Sequence, residues 1–91
     1  MSRIHEFEEV VLTQEKETDK KTLILFNDEV NTFDWVIQSL VDVCKHDEVQ
    51  AEQCSLIVHN KGKCDIKYGE ISLLEPMAHS LLDRGLTVEI Q

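Results

Sequence analysis

A chain of 91 residues has room for one small domain. Lys and Arg number nine against eighteen Asp and Glu, a formal charge of −9, with apolar residues at 42% and charged residues at 30%, as in ordinary globular chains. That charge repels phosphate backbones and anionic lipid heads, and neither a bilayer-length apolar run nor a leader pattern is present, so a neutral or cationic partner is expected, with no nucleic acid and no membrane.

Residues 1–20 read as a flexible N-terminal extension. Ile4, Phe7, Val10, Val11 and Leu12 are too few and too irregular to hold a helix on a core. Order is expected from Lys21. Thr22 to Phe26 (TLILF) is a short β-favouring run buried on both faces, stopped by the polar Asn27-Asp28-Glu29. Asn31 or Thr32 can cap a helix, with Asp34 in the first turn where the helix dipole favours a carboxylate. Phe33, Val36, Ile37, Leu40, Val41 and Cys44 then fall on one helical face, and Lys45 and His46 suit its C-terminal end.

Asp47 and Glu48 open a second helix that Gly62 closes. Its spacing puts Val49, Gln53, Leu56 and Ile57 on one side, with Ala51, Cys54 and Val58 adjoining. Cys64 to Tyr68 reads as a strand, followed by a turn at Gly69. Ser72-Leu73-Leu74-Glu75 has the form of a capping box before a helix from Met77 to Arg84, or Pro76 is the first helical residue. Gly85 ends that helix and Leu86 to Ile90 is the last strand. The order β-α-α-β-α-β predicts an α+β two-layer sandwich, a three-stranded antiparallel sheet with three helices on one side, spanning residues 21–91.

Cys44, Cys54 and Cys64 have nine residues between neighbours, a spacing that gives neither a zinc knuckle nor a disulfide framework, so they read as free thiols in a reducing cytoplasm. No cofactor is implied, and a metal site from Cys44, His46 and His59 fails on spacing. Two places hold polar groups the fold does not need: Asn27-Asp28-Glu29, and His59 within Ile57-Val58-His59-Asn60-Lys61-Gly62. Packed together beside Phe33, Val36, Val58 and Leu86, they suit an ammonium group joined to a hydrophobic side chain, which is what a free protein N-terminus offers. The plainer readings are a turn leading into a helix for Asn27 to Glu29, and a dipole complement for His59. A hydrolase with Cys54 or Ser55 as nucleophile, His59 as base and Asp28 as orienter can also be written, but no nucleophile elbow accompanies it.

The block Leu23-Ile24-Leu25-Phe26-Asn27-Asp28-Glu29-Val30-Asn31-Thr32-Phe33-Asp34-Trp35-Val36-Ile37, followed by Val58-His59-Asn60-Lys61-Gly62-Lys63, resembles ClpS, the bacterial adaptor of Clp proteases. The similarity runs from about Lys21 to Ile90. It implies a non-enzymatic, cytoplasmic N-degron adaptor that binds substrates beginning with Leu, Phe, Tyr or Trp. Such adaptors deliver their cargo to an AAA+ Clp unfoldase, ClpA- or ClpC-like, working with ClpP. By the resemblance, Asn27, Glu29 and His59 bind the α-amino group, with Asp28 adding charge and shaping the loop. Asn31 and Thr32 lie near the substrate backbone, and Phe33, Val36, Ser55, Val58 and Leu86 line the side-chain pocket. Three positions depart from the family pattern: Glu29 replaces a usual aspartate, and Phe33 and Ser55 stand where methionine is frequent. The altered gate motivates an alternative, a small modulator of a Clp unfoldase without selectivity for N-terminal residues. Residues 1–20 are expected to engage the unfoldase pore.

Overall fold

The computed structural model describes residues 19–91. Its elements are β1 (Lys20–Phe26), α1 (Phe33–Cys44), α2 (Glu48–Lys61), β2 (Lys63–Glu70), α3 (Ile71–Asp83) and β3 (Thr87–Ile90). The segment read as an N-terminal extension lies outside the described residues except for its last two, of which Lys20 already belongs to β1.

β1 is the central strand, because its LILF run is the one apolar stretch able to be covered on both sides. It pairs antiparallel with β2 and with β3, giving the order β2-β1-β3. Leu23, Ile24 and Leu25 are all buried, and Leu23 and Leu25 join the main core with Leu40, Leu74 and Leu81. The α+β sandwich expected from the sequence is the observed fold.

The β1–β2 register slips once. Leu23 opposes Lys67 and Ile24 opposes Asp65, so Ile66 is the extra residue of a bulge. A bulge leaves its backbone without a full ladder, and here the Ile66 carbonyl accepts a hydrogen bond from Nε2 of the buried His46 at 2.8 Å. A carbonyl can only accept, so this contact fixes the proton on Nε2. His46 is therefore a buried brace between the α1–α2 corner and the sheet. The expected role at the end of α1 belongs instead to Lys45, which takes the left-handed conformation (φ 61°) while its Nζ donates to the Asp42 carbonyl at 3.2 Å.

Local capping signals place α1 and α2. Thr32 Oγ1 accepts from the Trp35 N–H at 3.1 Å, and Asp47 Oδ1 accepts from the Gln50 N–H at 2.8 Å. Gly62, at φ 96°, closes α2 with its N–H on the Val58 carbonyl at 2.8 Å. The rotation of α2 differs from the expected one. Ala51, Cys54, Ser55 and Val58 are buried, whereas Val49, Leu56 and Ile57 are exposed. The sharp turn from α2 into β2 sets that rotation, and it puts the small side chains against the sheet.

β2 and α3 depart further. β2 runs through Gly69, which pairs with Lys21 and makes no turn. A Cβ at Gly69 would lie 3.0 Å from Leu73 Cδ2, so glycine serves close approach to the helix that follows. α3 starts at Ile71 with Glu70 as its N-cap and no side-chain capping bond, and Pro76 lies inside it. The Ser72–Glu75 capping box therefore does not form. The stripe Leu74, Ala78 and Leu81 is buried, and Ile71 extends it one turn upstream. Burying that stripe outweighs the lost Pro76 hydrogen bond, a case of packing overriding local propensity.

Candidate functional site

A cleft of about 420 Å³ opens where the end of β1, the loop after it, the start of α1 and the last turns of α2 meet. The antiparallel sheet creates this meeting point. Asn27 donates its N–H to the Gly62 carbonyl at 2.9 Å, which ties the loop after β1 to the end of α2. Helical spacing then presents Ser55, Val58 and His59 together, at i, i+3 and i+4. Phe33 and Val36, one turn apart on α1, form the facing wall.

The loop is held by Asp28. Its Oδ1 accepts from the N–H groups of Val30 and Asn31, each at 2.9 Å, and its Oδ2 accepts from Asn31 Nδ2 at 2.9 Å. Desolvation raises the Asp28 pKa, but these three hydrogen bonds outweigh it and hold the carboxyl below its ordinary value. Asp28 thus brings a stable negative charge beside the cleft while its lone pairs organise the loop. Asn31 Nδ2 also donates to the Gly85 carbonyl at 2.8 Å, clamping the loop to the α3–β3 turn. With both amide hydrogens engaged, Asn31 has only its carbonyl to offer a ligand.

Most of the residues named from the sequence gather here. Asn27, Asp28, Glu29, Asn31, Phe33, Val36, Ser55, Val58 and His59 all line the cleft. Asn27, Glu29 and His59 are exposed at its rim, and Ser55 and Val58 are buried. Thr32 is not among the lining residues, because its hydroxyl caps α1. Leu86, expected in the pocket wall, is 3% exposed in the main core and does not line the cleft. The reason is the tight return from α3: the Leu86 N–H bonds to the Leu81 carbonyl at 3.0 Å, drawing this residue under the helix.

The cleft also holds residues the sequence reading left out. Leu25 and Phe26 contribute its strand side. Their position immediately before Asn27 was the available signal, masked by their reading as pure core. Trp35 braces α1 from outside: its Nε1 donates to the Arg84 carbonyl at 2.9 Å, and the Arg84 guanidinium stands 5.2 Å from the ring centroid. Arg84 also pairs with Asp42 at 3.2 Å.

The chemistry available is recognition of an amine beside an apolar group. Amide and carboxylate oxygens and an imidazole nitrogen accept N–H donors at the rim, and apolar side chains wall the interior. The hydrolytic constellation is not assembled, because Ser55 Oγ is buried with no hydrogen-bond partner and so has no base. Nor are the thiols of Cys44 and Cys64 activated. Burial pushes Cys44 up to about 11, with Lys67 offsetting part of the effect. Burial, together with the hydrogen bond to Cys54 Sγ at 3.3 Å, pushes Cys64 up to about 12. Among the described residues, no group of three or more His, Cys, Asp or Glu is placed to hold a metal ion.

Comparison with known proteins decides the family. The family model described as ATP-dependent Clp protease adaptor protein ClpS matches residues 16–89. The chain belongs to the ClpS family. As a ClpS protein it is a Clp protease adaptor, a member of an adaptor family and not of a catalytic one. The fold agrees with that of Agrobacterium tumefaciens ClpS2, solved bound to L-phenylalaninamide. The TM-score is 0.77 at 19% identity, over 80% of this chain and 95% of that one. No curated protein matches the sequence. No helix among the described residues is long and apolar enough to cross a membrane.

Proposed function

We propose that this ClpS protein is an N-degron adaptor: it holds the free N-terminus of a substrate whose first residue is bulky and hydrophobic, and delivers it to an AAA+ Clp unfoldase with ClpP in the cytoplasm. The reading rests on one observation, a rim of Asn27, Glu29 and His59 joined to an apolar cleft walled by Phe33, Val36 and Val58. An α-ammonium group carries three N–H donors and a charge, and the rim supplies acceptors of matching number. The side chain of the first residue then leaves water for the cleft, adding about 1.5–3 kcal/mol for a Leu or Phe. L-Phenylalaninamide, the ligand of the structurally similar ClpS2, has the same two parts, a free amine and an aromatic side chain.

Each rim residue has a task. Asn27 and Glu29 accept from the ammonium group, His59 accepts through its unprotonated nitrogen, and Asp28 keeps the loop in place while adding negative potential. Asn31 offers its carbonyl to the first peptide N–H of the substrate. Residues before β1 carry the delivery step, and the cleft carries selection.

Fluorescence polarisation with paired peptides tests the reading. Peptides beginning with Leu, Phe, Tyr or Trp bind when the amine is free, and their N-acetylated versions bind at least tenfold more weakly, because acetylation removes the charge and two donors. Equal binding of both versions would discard the amine site. In that case, complex formation with the unfoldase but no N-terminal preference would mark a modulator instead.

A further inference from the structure

The closed part of the cleft holds one polar atom that the fold leaves unused. Ser55 is 3% exposed, lines the cleft, and its Oγ has no hydrogen-bond partner. A helical serine usually satisfies its hydroxyl on the carbonyl one turn back, and a buried hydroxyl without any partner is costly. Unpaired buried polar groups are few in folded chains, and a ligand is one way such a group is completed.

We infer that Ser55 makes this adaptor selective for tyrosine as the first residue of its substrates, the phenol hydroxyl pairing with Ser55 Oγ; the inference rests on the amine-site reading above and refines it. Three features carry it. Ser55 and His59 are one helical turn apart on α2, about 6 Å along the axis. His59 is exposed at the rim and Ser55 is buried, so the helix presents an amine acceptor and a hydroxyl at opposite ends of the same cleft. A para-substituted phenyl ring bridges that span with a polar group at each end, which neither phenylalanine nor leucine does.

The apolar walls serve a phenol ring as well as a phenyl one, so the discrimination falls on the single hydroxyl. The phenol both donates and accepts, and so does the serine, which lets the pair form in either direction. A phenylalanine in the same place offers no partner and leaves Ser55 as unpaired as it is in the free chain. Sites that present a buried hydrogen-bonding group penalise an analogue lacking its counterpart. Serine is also compact, and leaves the ring room to reach it beneath Phe33 and Val58.

The test uses the whole chain and peptides identical except for a first residue of Tyr or Phe, each with an N-acetylated control, read by fluorescence polarisation. The Tyr peptide is expected to bind about five- to tenfold more tightly than the Phe peptide. In Ser55→Ala the two bind within about twofold of each other, and the melting temperature does not fall, since alanine removes an unpaired hydroxyl. Equal affinities in the unaltered chain, or a Tyr preference that survives Ser55→Ala, would overturn the inference while leaving the amine site standing. Indifference to acetylation would instead overturn the amine site itself, and tyrosine selection with it.

Discussion

A histidine stands near each end of α2, and the two differ in nearly every physical respect. His46, just before the helix, is 5% exposed and donates from Nε2 to the carbonyl of the bulged Ile66. His59, in the last turn, is exposed and lines the cleft. One imidazole completes the fold; the other is left open to a ligand. Burial alone separates them here, because both lie beside a helix terminus and both read from the sequence as complements to a helix dipole. The lesson extends to the neighbouring groups. Beside His46 the neighbouring Cys44 is buried, and the ring is enclosed to the point that its Nδ1 has no partner, whereas around His59 the acceptors face open space.

The largest expected effect falls on the closed end. His46→Ala leaves the Ile66 carbonyl buried without a donor and opens a void, a combined cost of about 2–3 kcal/mol. For a domain this size the melting temperature drops by about 10–20 °C. Peptide affinity measured well below that temperature stays within about twofold. Thermal unfolding followed by circular dichroism, with polarisation in parallel, checks both halves. An affinity loss in step with the stability loss would show that the two ends are not separable.

His59→Ala reverses the pattern. Losing one charge-assisted acceptor at an exposed rim weakens binding of a free-amine peptide by about tenfold, or about 1.4 kcal/mol. The melting temperature stays within about 2 °C, because an exposed side chain contributes little to folding. The 14 residues of α2 span about 21 Å, so the double variant shows the sum of the two single effects. A melting-temperature collapse in His59→Ala would return this residue to a structural role.

How far the sequence carried these conclusions depends on the range of each signal. β1, α1 and α2 were legible because their signals are local: the apolar TLILF run, Thr32 and Asp47 as caps, and Gly62 as a stop. The cleft was legible through the Asn27–Phe33 block and Val58-His59, whose convergence follows once β1 and the end of α2 are neighbours. The failures share one cause, competition from distant contacts. Ser72 to Glu75 spells a helix start, yet burial of Leu74, Ala78 and Leu81 recruits Ile71 and runs the helix through Pro76. Leu86 was placed in the pocket, but the turn after α3 draws it into the core. The divided role of Asp28 and the unpaired hydroxyl of Ser55 depend on atoms brought together only by folding, so no spacing rule could reveal them.

The last test reads the thiols, and through Cys44 at the end of α1 it probes the closed end by titration. Burial holds the Cys44 thiol up at about 11 and the Cys64 thiol at about 12, against an ordinary value of 9.0. Between those values the folded chain keeps protons that the unfolded chain has released. Stability from this source is therefore complete below about pH 9 and declines as the pH rises toward 11. Thiolate absorbance followed on raising the pH should show these two cysteines silent at pH 9 in the native chain and ionising there in denaturant. Native ionisation of Cys44 at an ordinary thiol pH would mean that water reaches the α1–α2 corner, and the contrast between a sealed His46 and an open His59 would then lose its basis.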